Sequence, residues 1–133
     1  MQHMKPFKIL LLFLLVITSL NTFSQTGEKT NCTVLKDCKL QYFEIDNTTT
    51  YIIIKGPKFV EYIDGGKNYI KSDLEWINEC EYKATITEIT VPNTPYKIGD
   101  YMTVKIDRIS NKIVYYTATF QGFSFTGKFK IIT

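Results

Sequence analysis

Four carboxylates lie close together in the chain and are the first candidates for chemistry: Asp73, Glu75, Glu79 and Glu81. Calcium prefers oxygen ligands, but a calcium loop normally adds a glycine turn and more closely spaced ligands. Paired carboxylates also catalyse glycoside hydrolysis, which needs a cleft that so small a domain does not offer. The cluster therefore indicates a solvated rim, and we predict neither a metal site nor a cofactor.

The first 24 residues have the pattern of a secretory signal peptide. Lys5 and Lys8 precede an apolar run over 9–20, and Thr22 and Ser24 occupy the −3 and −1 positions of a cut after Ser24. The alternative is an uncleaved membrane anchor, although spanning a bilayer takes about 20 apolar residues. We predict an exported protein, periplasmic or secreted, with no membrane span after cleavage.

Cleavage at this point removes the only histidine, His3. A chain without histidine cannot form a Ser-His or Cys-His dyad and lacks the commonest transition-metal ligand, so we predict that the protein is not an enzyme. Lys5 and Lys8 also leave, which reduces the 16 basic residues to 14 against 13 acidic ones, a net charge of +1. Nucleic-acid-binding domains are usually strongly basic on one face, so we predict no nucleic-acid partner.

The remaining residues form one domain, with a polar arm at 25–38 and a β-rich region at 39–133. Alternating, β-branched and aromatic segments separated by turn residues predict antiparallel strands. The turn Asp64-Gly65-Gly66 is the clearest hairpin signal, and Gly127 indicates a bend or bulge in the last strand. The predicted strands are 39–46, 51–55, 58–63, 68–77, 80–89, 101–109, 112–120 and 123–132.

The apolar inner face of a single sheet of this size must be shielded, either by curling of the sheet or by packing against a partner. We therefore predict an all-β fold, an antiparallel meander of seven to eight strands curled into a small lipocalin-like barrel, open or closed. Eight strands leave an interior that is filled by side chains or that holds one small ligand.

Glu61 lies on the same face of its strand as Phe59 and Ile63. If that face points inward, Glu61 is a buried carboxylate that needs a partner such as Lys55 or a ligand. If Val60 and Tyr62 point inward instead, Glu61 is solvated, and the pattern leaves both options open.

The sequence also leaves open which face of the sheet Trp76 occupies. A two-residue turn at Asn78-Glu79 pairs Ile77 with Cys80 and sends Trp76 to the face opposite Tyr82. A longer loop or a bulge brings Trp76 inward, which we favour because an exposed tryptophan is costly.

The candidate ligand-binding residues are Lys55, Glu61, Trp76 and Tyr82. We predict a non-catalytic binder of a small apolar or amphipathic ligand. The alternative is a structural or protein-interaction domain with a filled core. An internal cavity of several hundred cubic ångströms favours the binder, and a solid core with an exposed apolar patch favours the alternative.

Two stretches, Cys32–Tyr42 and Leu74–Tyr82, resemble those of certain small exported proteins of Bacteroidetes-type bacteria. The specific element is Trp-x-x-x-Cys-x-Tyr, met here as Trp76, Cys80 and Tyr82. The resemblance implies no activity. The "DNA topoisomerase IV" label that some relatives carry is not supported by a chain this short and nearly neutral.

The resemblance also implies a disulfide between Cys32 and Cys80, because Cys38 stands where the pattern prefers glycine. Such a bridge tethers the arm and leaves Cys38 as the free thiol. From the residues alone, Cys38–Cys80 and Cys32–Cys38 remain open as competing pairings.

Overall fold

The computed structural model describes residues 30–43 and 49–132. Eight β-strands make up most of this part of the chain, with short 3₁₀ turns at Thr33–Lys36 and Asp64–Gly66. The strands are β1 (Asp37–Tyr42), β2 (Tyr51–Lys55), β3 (Lys58–Ile63), β4 (Asn68–Asn78), β5 (Glu81–Ile89), β6 (Tyr101–Ser110), β7 (Ile113–Phe120) and β8 (Phe123–Ile131). Three predicted segments lie outside the described residues: the signal peptide at 1–24, the first part of the arm at 25–29 and the end of the first predicted strand at 44–46.

Each strand pairs antiparallel with the next one in the chain, and β1 pairs with β8 to close the barrel. The register at the closure joins Leu40 to Ile131 and Tyr42 to Phe129. The predicted all-β, lipocalin-like barrel is confirmed, and the structure shows that it has eight strands and is closed.

The alternation of side chains explains why these segments form strands. Ile52 and Ile54 of β2 are buried inside the barrel, whereas Lys55 is exposed. The bounds of β2 and β3 are those predicted, because glycine-containing turns end both strands. β1 begins at Asp37, inside the stretch that we assigned to the arm, since Cys38 and Leu40 already face the core.

One end of the barrel is covered by the segment that precedes β1. The disulfide Cys32–Cys80, with Cα atoms 5.3 Å apart, ties this segment to the turn before β5 and confirms the predicted pairing. Leu35 is 1% exposed, and the Gly56 amide donates a hydrogen bond to the Lys36 carbonyl at 3.0 Å. We call this end the capped end.

Cys38 is the free, buried thiol, as predicted. Its sulfur donates to the Leu35 carbonyl at 3.5 Å. Burial, and then the charge of Asp37, raises the pKa of the Cys38 thiol to about 11. The thiol is therefore protonated at neutral pH and inert.

Trp76 faces inward because β4 contains a bulge. Trp76 pairs with Tyr82 and Asn78 with Glu81, so Ile77 is the additional residue and its side chain is exposed. The indole meets the Tyr82 ring edge-on, with centroids 5.2 Å apart. Among the described side chains, Trp76 Nε1 is the one buried polar atom without a hydrogen-bond partner. The favoured inward placement is confirmed.

Gly127 does not mark a bulge, because β7 and β8 pair without a register shift around it. A Cβ atom at Gly127 would overlap the hydroxyl and ring carbons of Tyr116. The glycine therefore makes room for the Tyr116 ring, which stacks on Phe129 with centroids 4.2 Å apart.

Candidate ligand-binding cavity

A partly enclosed cavity of about 340 Å³ lies inside the barrel, toward the end opposite the cap. Its volume is near the lower limit of small-molecule pockets, roughly 300–1,000 Å³. Buried residues, among them Phe59, Ala84, Tyr116 and Phe129, form its inner part. The other lining residues are Tyr42, Glu61, Ile63, Ile70, Ser72, Ile86, Val91, Thr94, Tyr96, Asp100, Tyr101, Met102, Phe120 and Phe125.

Glu61 faces this cavity, which settles the alternative that the sequence left open. It lies on β3 between Phe59 and Ile63, and its register partners are Ile52 and Ile70. The Tyr42 hydroxyl donates a hydrogen bond to Glu61 Oε1 at 3.0 Å. The carboxyl group is therefore held in place by β1, inside an interior that is mostly apolar.

The surroundings shift the pKa values of both groups. Burial raises the pKa of the Glu61 carboxyl above its ordinary value, and the hydrogen bond from Tyr42 opposes this shift. Burial, followed by the charge of Glu61, raises the pKa of the Tyr42 hydroxyl. Tyr42 therefore remains a protonated donor, and the second carboxyl oxygen of Glu61 is the acceptor that a ligand can use.

The cavity has an acidic bias. Its lining, within the part of the chain that the structure describes, includes the carboxylates of Glu61 and Asp100 and no lysine or arginine. Asp100 Oδ2 already accepts a hydrogen bond from the Lys97 amide at 2.9 Å. One oxygen of Asp100 is thus already engaged by the backbone of the same connection.

The connection between β5 and β6 forms one side of the mouth. It is fastened to β5, because Ile86 donates to the Asp100 carbonyl at 2.8 Å and Gly99 donates to the Ile86 carbonyl at 2.9 Å. Tyr96 reaches the end of β7, the strand beside β6, and meets Phe120 edge-on, with centroids 5.5 Å apart. The connection therefore holds an aromatic side chain beside the entrance.

The structure separates the four predicted ligand-binding residues. Glu61 lines the cavity, whereas Trp76 and Tyr82 pack against each other at the capped end. Lys55 is exposed at the end of β2, next to the turn at Gly56, and does not line the cavity. Glu61 takes its hydrogen bond from Tyr42 and not from Lys55.

Sequence reasoning missed Tyr42 and the connection at 90–100. Tyr42 could have been found, because it follows Cys38 and Leu40 at the two-residue period of β1. The connection has no periodic pattern, so nothing in the sequence indicated that Val91, Thr94 and Tyr96 would border a cavity.

The acidic cluster lies elsewhere, on the outside of β4 and β5. Asp73 forms an ion pair with Lys58 at 2.7 Å, and Glu81 accepts a hydrogen bond from Asn78 at 3.1 Å. Within residues 30–43 and 49–132, no three or more histidine, cysteine or acidic side chains are placed to hold a metal. The same ranges contain no helix long and apolar enough to cross a membrane.

No protein-family model, curated protein or solved structure matches this chain, so the resemblance to exported Bacteroidetes-type proteins stays a prediction.

Proposed function

We propose that this protein is an exported, non-catalytic barrel that binds one small apolar or amphipathic molecule in the cavity around Glu61. The observation that carries this proposal is the cavity itself, about 340 Å³ with largely apolar walls and a hydrogen-bonded carboxyl group inside. Apolar walls with a few placed polar groups are the usual composition of small-molecule sites.

Export is supported by the pattern of the first 24 residues and by the disulfide Cys32–Cys80. Disulfides persist in oxidising compartments and are rare in the cytosol. A non-catalytic role is supported by the position of His3, the only histidine, within the predicted signal peptide.

Binding can be tested with the fluorescent probe N-phenylnaphthylamine, which is uncharged at neutral pH. Ala84 is 4% exposed and lines the cavity, so Ala84→Phe places a ring inside it. The matched control is Thr85→Phe, in which the same ring points to the outer face of β5. We expect saturable probe fluorescence with the native protein and with Thr85→Phe, and at least a tenfold weaker affinity with Ala84→Phe.

Two results would contradict the proposal. The first is an absence of saturable binding to the native protein. The second is equal affinity for Ala84→Phe and Thr85→Phe, both shown by circular dichroism to be folded, because the probe would then bind outside the barrel.

The second candidate is a protein-interaction domain, which is favoured by apolar side chains exposed around the mouth. Phe123 is 78% exposed, Ile98 70% and Tyr101 54%. Exposed apolar patches often mark interaction surfaces. Self-association in sedimentation experiments that Phe123→Ser abolishes, without probe binding in the cavity, would favour this candidate over the first.

A further inference from the structure

We infer that the cavity selects ligands with a cationic head, small organic amines whose ammonium group binds the carboxylate of Glu61 while the apolar part fills the barrel. This inference rests on the proposed function and specifies the chemical class of the ligand.

The first argument is the uncompensated charge. Glu61 points into the cavity, and the hydrogen bond that it accepts there comes from the neutral hydroxyl of Tyr42. Lys58 of the same strand and Lys71 of β4 lie on the outside, where Lys58 pairs with Asp73 and Lys71 with Glu88. A carboxylate in an apolar interior is costly unless it is paired, so a ligand cation compensates a charge that the described chain leaves without a counter-ion.

The second argument is the aromatic wall beside this carboxyl group. Tyr42 packs on Phe129 with centroids 5.2 Å apart, and Phe129 stacks on Tyr116. Ring faces attract cations, and ammonium groups are bound in proteins by such aromatic surroundings. The same wall accepts the methylene groups of an alkyl amine, so both halves of the ligand find a matching surface.

The third argument is that the site disfavours anionic ligands. The carboxylate of a fatty acid would lie beside Glu61, with Asp100 also on the lining. Two carboxylates in one site cannot both ionise without a large cost, so an anionic ligand must bind protonated or stay out. An alkyl ammonium, with a pKa near that of lysine at about 10.4, is charged at neutral pH.

Calorimetric titration with three probes of one chain length tests the inference: n-octylamine, n-octanol and octanoate at neutral pH. We expect the native protein to bind the amine roughly tenfold to a hundredfold more tightly than the alcohol, the range for a hydrogen bond to a charged partner. Octanoate should bind most weakly.

Glu61→Gln keeps the size of the side chain and an acceptor for Tyr42 but removes the charge. In this variant the preference for amine over alcohol should disappear and octanoate should gain affinity. The matched control is Glu88→Gln, which removes an exposed carboxylate from the outer face and should leave all three affinities unchanged.

The outcomes separate this inference from the function on which it rests. If octanol binds the native protein as tightly as octylamine, the cavity binds ligands but the charge selectivity is wrong. An amine preference that survives in Glu61→Gln would equally overturn the assignment to Glu61. If none of the three probes binds, both the ligand-binding function and the inference fail. The ranking on the native protein decides the question even if Glu61→Gln does not fold.

Discussion

Removal of the disulfide Cys32–Cys80 should destabilise the barrel severely. The two cysteines are 48 residues apart in sequence, and their bond joins the segment before β1 to the turn before β5. The double variant Cys32→Ala/Cys80→Ala removes the bond without leaving an unpaired thiol at either position. Cys38→Ala is the matched control, because it removes the buried thiol that forms no disulfide.

The magnitude follows from the length of the closed loop. Restricting an unfolded chain by a bridge across 48 residues is worth about 4 kcal/mol of folding free energy. Small domains have unfolding free energies of about 5–15 kcal/mol in total. The double variant should therefore lose about a quarter or more of its stability, whereas Cys38→Ala should cost about 1 kcal/mol.

Equilibrium unfolding in urea, followed by the fluorescence of Trp76, measures this difference. Trp76 is the only tryptophan and packs at the capped end, so its emission reports on the region that the disulfide tethers. Native protein treated with reductant should show the same loss as the double variant. A loss below about 1 kcal/mol, or an equal loss in Cys38→Ala, would refute the reasoning from loop closure.

Three further predictions concern single side chains. Gly127→Ala should destabilise the barrel by about 1–3 kcal/mol, because the added methyl group overlaps Tyr116; Tyr116→Leu in the same chain should recover part of the loss, and strict additivity in denaturant unfolding would contradict the overlap. Leu35→Ala should cost about 2–5 kcal/mol in the same measurement, since Leu35 is 1% exposed. The change Val34→Ala, at a position that is 48% exposed, should cost little, and equal losses at the two positions would mean that the arm is not docked. The pKa of the Glu61 carboxyl is higher in the folded protein than its ordinary value of 4.5. The protonated carboxyl group therefore contributes stability that is fully present below pH 4.5 and is lost as the pH rises through the raised pKa. Glu61→Gln should remove this pH dependence and stabilise the barrel at neutral pH, and identical pH profiles of the two proteins would rule out the effect.

Much of the strand order was predictable because it depends on local signals. The isoleucines of β2 alternate with outward residues, and the turns at Gly56 and at Asp64–Gly66 end the adjoining strands. Such patterns need no knowledge of the rest of the molecule. The inward placement of Trp76 was favoured by the cost of exposing an indole, but the sequence did not settle it, because it depends on a bulge that the turn at Asn78-Glu79 does not indicate.

The features that depend on remote contacts were not predictable. Both faces of β3 carry apolar residues, with Phe59 and Ile63 on one and Val60 and Tyr62 on the other, so only barrel closure shows that Glu61 faces inward. Closure itself depends on the pairing of β1 with β8, which have no shared local pattern. The hydrogen bond from Tyr42 to Glu61 depends on that closure, so the sequence alone does not predict it.

The pairing of β1 with β8 has a consequence for the dynamics of the barrel. It joins the strands that are farthest apart in sequence, and among the described residues its register pairs are Leu40–Ile131, Gln41–Lys130 and Tyr42–Phe129. Its formation requires the largest loop-closure entropy, so amide hydrogens along this seam should exchange with solvent through local opening before those of the other ladders. Tyr42 lies on the seam and also on the cavity wall. A molecule that contacts both Tyr42 and Phe129 would stabilise the closed state by mass action. Under the proposed function, occupancy of the cavity should therefore slow proteolysis of the barrel.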